Sequence, residues 1–324
     1  MFEVVYVHPR PVITRGDPGT EGNRYGFEGG RAHKLGGTYH LFTTEPYADP
    51  HWVRTRLAHW TSKNGVDWQR QGQIRESSGD FTGMDPKAAL WSPMTYWIPE
   101  KNKWYLSYVA YRSAPDLDTA FLSNHRGEIW LAVSQKSGMD GIGGPYEDTL
   151  ILMRPDENSQ SWEGLQGVDS WYPFRLEDGR WLSFYGSAKT EYNPIPFWGV
   201  GLAESNSFFG PWTRKTGTNP VLIDSVFVEN PIVEKLPDGR YVAWIDGGPV
   251  KNQFAYSVSD DGVHWSAATY LDLEQKTGKW WRDYMGMRTP LGMIPEGHGE
   301  YTIFFTALDD DNFGHLGMCR VRFI

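Results

Sequence analysis

The chain has 324 residues with 31 basic and 40 acidic side chains, a net charge of −9, and 15% aromatic residues. That length allows one large domain or two ordinary ones with a sizeable core, and the acidic balance argues against a nucleic-acid footprint. No run approaches the roughly 20 apolar residues of a membrane helix, which argues against a membrane partner.

Cys319 is the sole cysteine, which excludes an internal disulfide and a cysteine-based zinc cluster. The start, Met1 to Val4, lacks the basic-then-apolar pattern of a secretory leader. The expected compartment is the cytoplasm, or the periplasm or exterior if a leader has been removed.

In chain order, the first element is a strand over Phe2–Val7 with no neighbour in sequence to pair with. Beyond it helical periodicity is nearly absent. Short aromatic and β-branched runs alternate with turns rich in Gly, Pro, Asp and Asn, which predicts an all-β fold.

Five of these runs carry an aromatic, two residues, then another aromatic: Tyr39 to Phe42, Tyr105 to Tyr108, Trp181 to Phe184, Tyr241 to Trp244 and Tyr301 to Phe304. Their first residues are 66, 76, 60 and 60 apart, a period typical of propellers and arrays. Four follow a glycine turn, and the second follows Glu100-Lys101-Asn102-Lys103 instead. Each unit thus opens with a hairpin and continues into a third and a fourth run, the make-up of a propeller blade. The expectation is one domain over residues 1–324, a five-bladed β-propeller of four-stranded blades. Phe2–Val7 would join the last blade beside Leu316–Phe323 and close the ring.

The first strand of each propeller blade lines the central channel. Counting back from the aromatic that opens each second strand, Glu28 lies 11 residues before Tyr39, Asp169 lies 12 before Trp181 and Glu229 lies 12 before Tyr241. Pro93 holds that level in blade two and Thr289, next to Arg288, in blade five. Two carboxylates about 6 Å apart repel by roughly 2.8 kcal/mol at an effective dielectric of 20, or about two pKa units. One should keep its proton near neutrality, and a protonated acid beside an ionised base is what glycosidic cleavage requires. Arg288 would face these acids with a strong electrostatic reason to be there. Arg31 is a further substrate-binding candidate, and Trp91, Trp171 and Tyr172 sit beside the channel positions, where aromatic faces can stack on sugars.

These features resemble the five-bladed β-propeller glycoside hydrolases, family 43 most closely, with families 32, 62, 117 and 130 as relatives in fold. Trp91-Ser92-Pro93 is similar to a Trp-Ala-Pro of that family. Asp169 with the segment Phe174–Leu182 resembles the part carrying its pKa-modulating Asp, and Gly201–Trp212 is like a third-strand segment common there. The resemblance implies Glu229 as general acid, Asp169 as its modulator and Arg288 as a substrate-binding residue. It also implies inversion at the anomeric carbon, with Glu28 as base.

The family's base is an Asp, usually before Pro; Phe27-Glu28-Gly29-Gly30-Arg31 replaces it here, which suggests a divergent subgroup. No cofactor or catalytic metal is expected, although some family members hold a channel calcium near a His, for which His315 is the candidate. The expected partner is a carbohydrate substrate; nothing in the sequence indicates the oligomeric state. Two alternatives remain open: a family 130-like glycoside phosphorylase with Arg31 and Arg288 as its cations, and a non-catalytic carbohydrate-binding propeller.

Overall fold

The computed structural model describes residues 1–115, 123–224, 227–246, 253–274, 276 and 278–324. The first strand, β1 (Phe2–Val7), is followed by four sheets in sequence order. Blade one holds β2 (Glu28–Leu35), β3 (Thr38–Ala48), β4 (Arg54–Ser62) and β5 (Trp68–Glu76). Blade two holds β6 (Ala89–Ile98), β7 (Lys103–Ser113), β8 (Asn124–Ser137) and β9 (Tyr146–Met153). Blade three comprises β10 (Trp171–Arg175), β11 (Trp181–Ala188), β12 (Trp198–Ser205) and the short β13 (Thr213–Arg214). Blade four comprises β14 (Glu229–Lys235), β15 (Tyr241–Asp246), β16 (Ala255–Ser259) and the short β17 (Thr269–Tyr270). The fifth sheet orders β1 against β20 (Gly314–Phe323), then β19 (Glu300–Leu308), then β18 (Met287–Gly297).

All strand pairs are antiparallel, and the chain is a five-bladed β-propeller closed by its N-terminal strand. Phe2 pairs with Phe323 and Val7 with Cys319. The segment after β1 continues the closure: Ile13 bridges to Leu316, and Gly26 lies against Gly314 so closely that a Cβ would sit 2.0 Å from the Gly314 carbonyl oxygen. Among the described residues, no helix is long and apolar enough to cross a membrane.

The hairpin turns obey local chemistry. Gly36, Gly37, Gly179, Gly239, Gly297 and Gly299 adopt positive φ. Blade two lacks glycine there, and Asn102 takes the left-handed conformation at φ 49 after a single 3-10 turn. Asn tolerates that region better than other side chains.

The aromatic repeat locks neighbouring blades together. Tyr39 of blade one meets Phe304 of blade five edge-on at 5.6 Å, and Phe174 of blade three meets Tyr241 of blade four at 5.5 Å. Tyr105 of blade two packs on Phe209 of blade three at 5.0 Å. Phe2 carries the same role at the closure, with ring centroids 5.0 Å from both Trp244 and Tyr256. Such pairs add to the burial energy of each ring.

Phe2 is 8% exposed and joins blade five to blade four. Phe2→Ala should therefore lower unfolding free energy by about 3 kcal/mol or more, read from urea denaturation. A loss below about 1 kcal/mol would mean that the terminal strand does not hold the ring.

Candidate active site

The innermost strands β2, β6, β10, β14 and β18 start at one end of the channel, and each start is irregular. The residues after Glu28, Trp91, Asp169 and Glu229 are Gly29, Ser92, Ser170 and Asn230, with φ of 58, 51, 144 and 54. Pairing shifts register at Glu28/Gly30, Trp91/Met94 and Glu229/Ile232, and in blade five between Met287 and Pro290. A left-handed residue or bulge re-aims the adjacent side chain out of the pleat. Gly29 is required for a second reason: a Cβ there would lie 2.9 Å from Ser92 Oγ. Backbone conformations of this kind cost energy in non-glycine residues and gather at functional sites.

This marker corrects the counting. The blade-two equivalent of Glu28 is Trp91, not Pro93, and in blade five both Arg288 and Thr289 reach the acids, Thr289 through its hydroxyl. A bulge adds a residue without adding length, so a fixed count back from the aromatic falls short.

Glu28, Asp169, Glu229, Arg288 and Trp91 line one pocket that is open to solvent. Arg288 Nη2 donates to Glu229 Oε2 at 3.0 Å, while its Nε lies 3.6 Å from Glu28 Oε2 and 3.4 Å from Asp246 Oδ2. Four blades supply these groups, or five with Trp91. Burial pushes the Glu229 carboxyl well up, and the neighbouring Asp169, Asp246 and Glu28 charges push the same way against Arg288. Asp169 is raised to about 6, chiefly by burial, with hydrogen bonds from Tyr111 and Gln166 opposing.

Tyr111 donates its hydroxyl to Asp169 Oδ1, and Gln166 Nε2 donates to the Tyr111 oxygen at 3.3 Å. Burial and the Asp169 charge hold the Tyr111 phenol far above its ordinary value, so it stays a donor. A second series of hydrogen bonds runs round the ring. Tyr172 donates to Asn230 Oδ1 at 2.6 Å, Asn230 Nδ2 donates to Thr289 Oγ1 at 3.1 Å, and Thr289 donates to Glu28 Oε1.

Three candidates lie away from the pocket surface. Trp171 is 2% exposed and meets Trp212 edge-on at 4.7 Å. Tyr172 acts through its bond to Asn230. Arg31 lies across the channel, donating to Glu234 Oε1 at 3.2 Å with its guanidinium over Tyr96. His315 is held between Thr14 Oγ1 at 2.8 Å and Asp309 Oδ2 at 3.0 Å, outside the pocket.

The sequence reading had not singled out Trp52, Tyr111, Asn124, Gln166 or Trp198, which complete the lining. Trp52 has a φ of 73, and its carbonyl accepts from Trp91 Nε1 at 3.1 Å and Asn124 Nδ2 at 3.0 Å. None of these occupies a repeated position, so spacing could not reveal them.

No family model matches the chain and no curated protein matches it. Solved structures do. BT0996, solved in an RGII complex, aligns with a TM-score of 0.73 at 15% identity, over 98% of this protein and 92% of its own length. A thermostable family-43 glycoside hydrolase aligns at 0.58 and 18% identity, over 98% and 91%. Zg3597, a family 117 glycoside hydrolase from Zobellia galactanivorans, gives 0.58 and 13%, over 99% and 90%. The likeness at these identities is one of fold.

Arg288 is the cation that opposes the upward shifts of Glu229 and Asp169. A carboxyl whose folded pKa exceeds its unfolded value stabilises the fold while protonated, and that contribution is lost as pH rises through the folded pKa. Arg288→Met should raise both values further and leave buried carboxylates unpaired. We expect a loss of about 3–5 kcal/mol near pH 8 and a smaller one near pH 5, from denaturation at both. An equal loss at both pH values would remove Arg288 from the charge balance.

Proposed function

We propose that the protein is a glycoside hydrolase acting on an oligo- or polysaccharide through Glu28, Asp169, Glu229 and Arg288. The observation that carries this reading is the convergence of Glu28, Asp169 and Glu229, from three blades, on one pocket with Arg288, which pairs with Glu28 and Glu229, while burial and the neighbouring charges push the Glu229 carboxyl well up. Glu229 is the general acid that protonates the leaving oxygen. Asp169 lies in the same pocket and raises the Glu229 pKa by its charge. Glu28 accepts a hydrogen bond from Thr289 on Oε1, leaving Oε2 to activate water.

The polar atoms also suit a sugar. Among the described residues, Glu28 Oε2, Asp169 Oδ2 and Gln166 Oε1 find no hydrogen-bond donor, and Arg288 Nη1 finds no acceptor. Buried groups of this kind are costly to leave unmet. A ligand with several hydroxyls supplies donors to three acceptors and an acceptor to the arginine. Phosphate has no such donors, and a phosphorylase would need cations beyond Arg288, which already faces three carboxylates. Arg31, the other cation considered, is paired with Glu234. Hydrolysis is therefore favoured over phosphorolysis. A binding module has no use for like charges at this density.

Glu28 and Glu229 face different nitrogens of one guanidinium and come from blades that are not ring neighbours. Their origin in blades that face each other across the channel supports single displacement with inversion, for which carboxyls stand about 6.5–9.5 Å apart rather than about 5–5.5 Å.

Three outcomes test the assignment. Glu28→Gln should abolish turnover on a panel of aryl glycosides and oligosaccharides. The first-formed sugar, followed by proton NMR, should have the opposite anomeric configuration; retention, or a trapped glycosyl-enzyme on Glu28, would overturn the mechanism. Asp169→Asn removes a negative charge that raises the Glu229 pKa, so the basic limb of the pH–rate profile should move to lower pH as turnover falls. An unmoved limb would mean that Asp169 does not tune the acid.

A further inference from the structure

A second pocket of about 220 Å3 opens beside the first, between blades one and five, and shares Glu28, Trp52 and Arg288 with it. Its apolar lining comes from Phe27, Pro46, Met285 and Leu308, and Arg282 and Asn312 add polar groups joined by a hydrogen bond. A column of aromatic rings runs along both pockets. Tyr25 stacks on His51 at 3.8 Å, His51 on Trp52 at 4.3 Å, and Trp52 leans on Trp91 at 5.1 Å.

The column is fixed at both ends: Trp52 by the two bonds to its carbonyl, and Tyr25 by donation to Asp49. Burial holds the His51 imidazole down at about 4, so this wall is uncharged at neutral pH. An apolar, aromatic-walled space with a few polar groups at its edge is built for a small organic ligand rather than for water alone.

The position of this pocket relative to the acids says which part of a substrate fills it. A general acid must touch the leaving oxygen. Glu229 lines the first pocket and is absent from the second, whereas Glu28 lines both. The leaving group therefore departs on the Glu229 side, and whatever enters the second pocket is attached to the other side of the scissile bond.

We propose that the second pocket binds a sugar unit carried by the glycone, so that cleavage occurs next to a substituted or internal residue instead of a bare terminal monosaccharide. This inference rests on the hydrolase reading, and in particular on Glu229 as the acid.

The test compares aryl glycosides whose glycone is one sugar or a disaccharide ending in that sugar. Wild-type enzyme should favour the disaccharide form at least tenfold in kcat/KM. Leu308→Trp, which fills the second pocket, should shrink that ratio towards one, and the milder Leu308→Phe should move it the same way if the tryptophan variant fails to fold. In Glu229→Gln, calorimetry with the free mono- and disaccharides should show the same preference in binding. A ratio near one in wild type, a ratio untouched by either Leu308 variant, or equal binding of the two sugars would overturn the proposal. Preferential binding of the disaccharide with no turnover of any glycoside by wild type would keep the pocket as a sugar site and overturn the hydrolase reading instead.

Discussion

The Arg288 guanidinium faces Glu28 of blade one, and Glu229 and Asp246 of blade four, from its own place in blade five. Carboxylates this close in a desolvated channel repel one another, and the arginine offsets only part of that. Burial and this repulsion push the Glu229 carboxyl well up, and burial raises Asp169 as well. The carboxyls of one pocket are therefore distinguished by their surroundings. Glu28 has Thr289 and Arg288 beside it, whereas Glu229 meets Arg288 and three competing acids. The same charge balance ties the site to the ring, because no single blade could hold these groups together.

Much of this was readable from the amino-acid sequence. The aromatic pairs repeat because each must meet the next blade, so their spacing reports the blade count and the places where strands begin. Glu28, Asp169 and Glu229 stood out because the same distance from those aromatics recurs. Arg288 was found by its neighbourhood. The failures share a cause. The kinks at Gly29, Ser92, Ser170 and Asn230 reset the alternation of side chains, so a count of residues misjudges Pro93, and Arg31 turns towards Glu234. Trp171 and Tyr172 follow the Ser170 kink and point between blades. Trp52, Tyr111, Asn124 and Gln166 reach the pocket from places that carry no repeat, and no pattern in one sequence marks them.

The kinked strand starts also explain why the carboxyls and the arginine gather at this end of the channel. A strand that simply continued its pleat would send alternate side chains up and down the wall. A left-handed residue immediately after the key position turns that side chain towards the axis and lets its own group serve a neighbour. Asn230 does both, aiming Glu229 and handing a proton donor to Thr289.

The series of bonds from Tyr172 through Asn230 and Thr289 to Glu28 has a direction. A phenol at one end can give its proton to an amide oxygen, the amide nitrogen has only protons to give, and the threonine hydroxyl passes its own to the carboxylate. Reversal is barred at the amide, so the series orients without conducting: it cannot shuttle a proton away from Glu28. A proton taken up by Glu28 therefore has no exit along this series and can exchange only through the pocket and its mouth, not through the wall of the propeller.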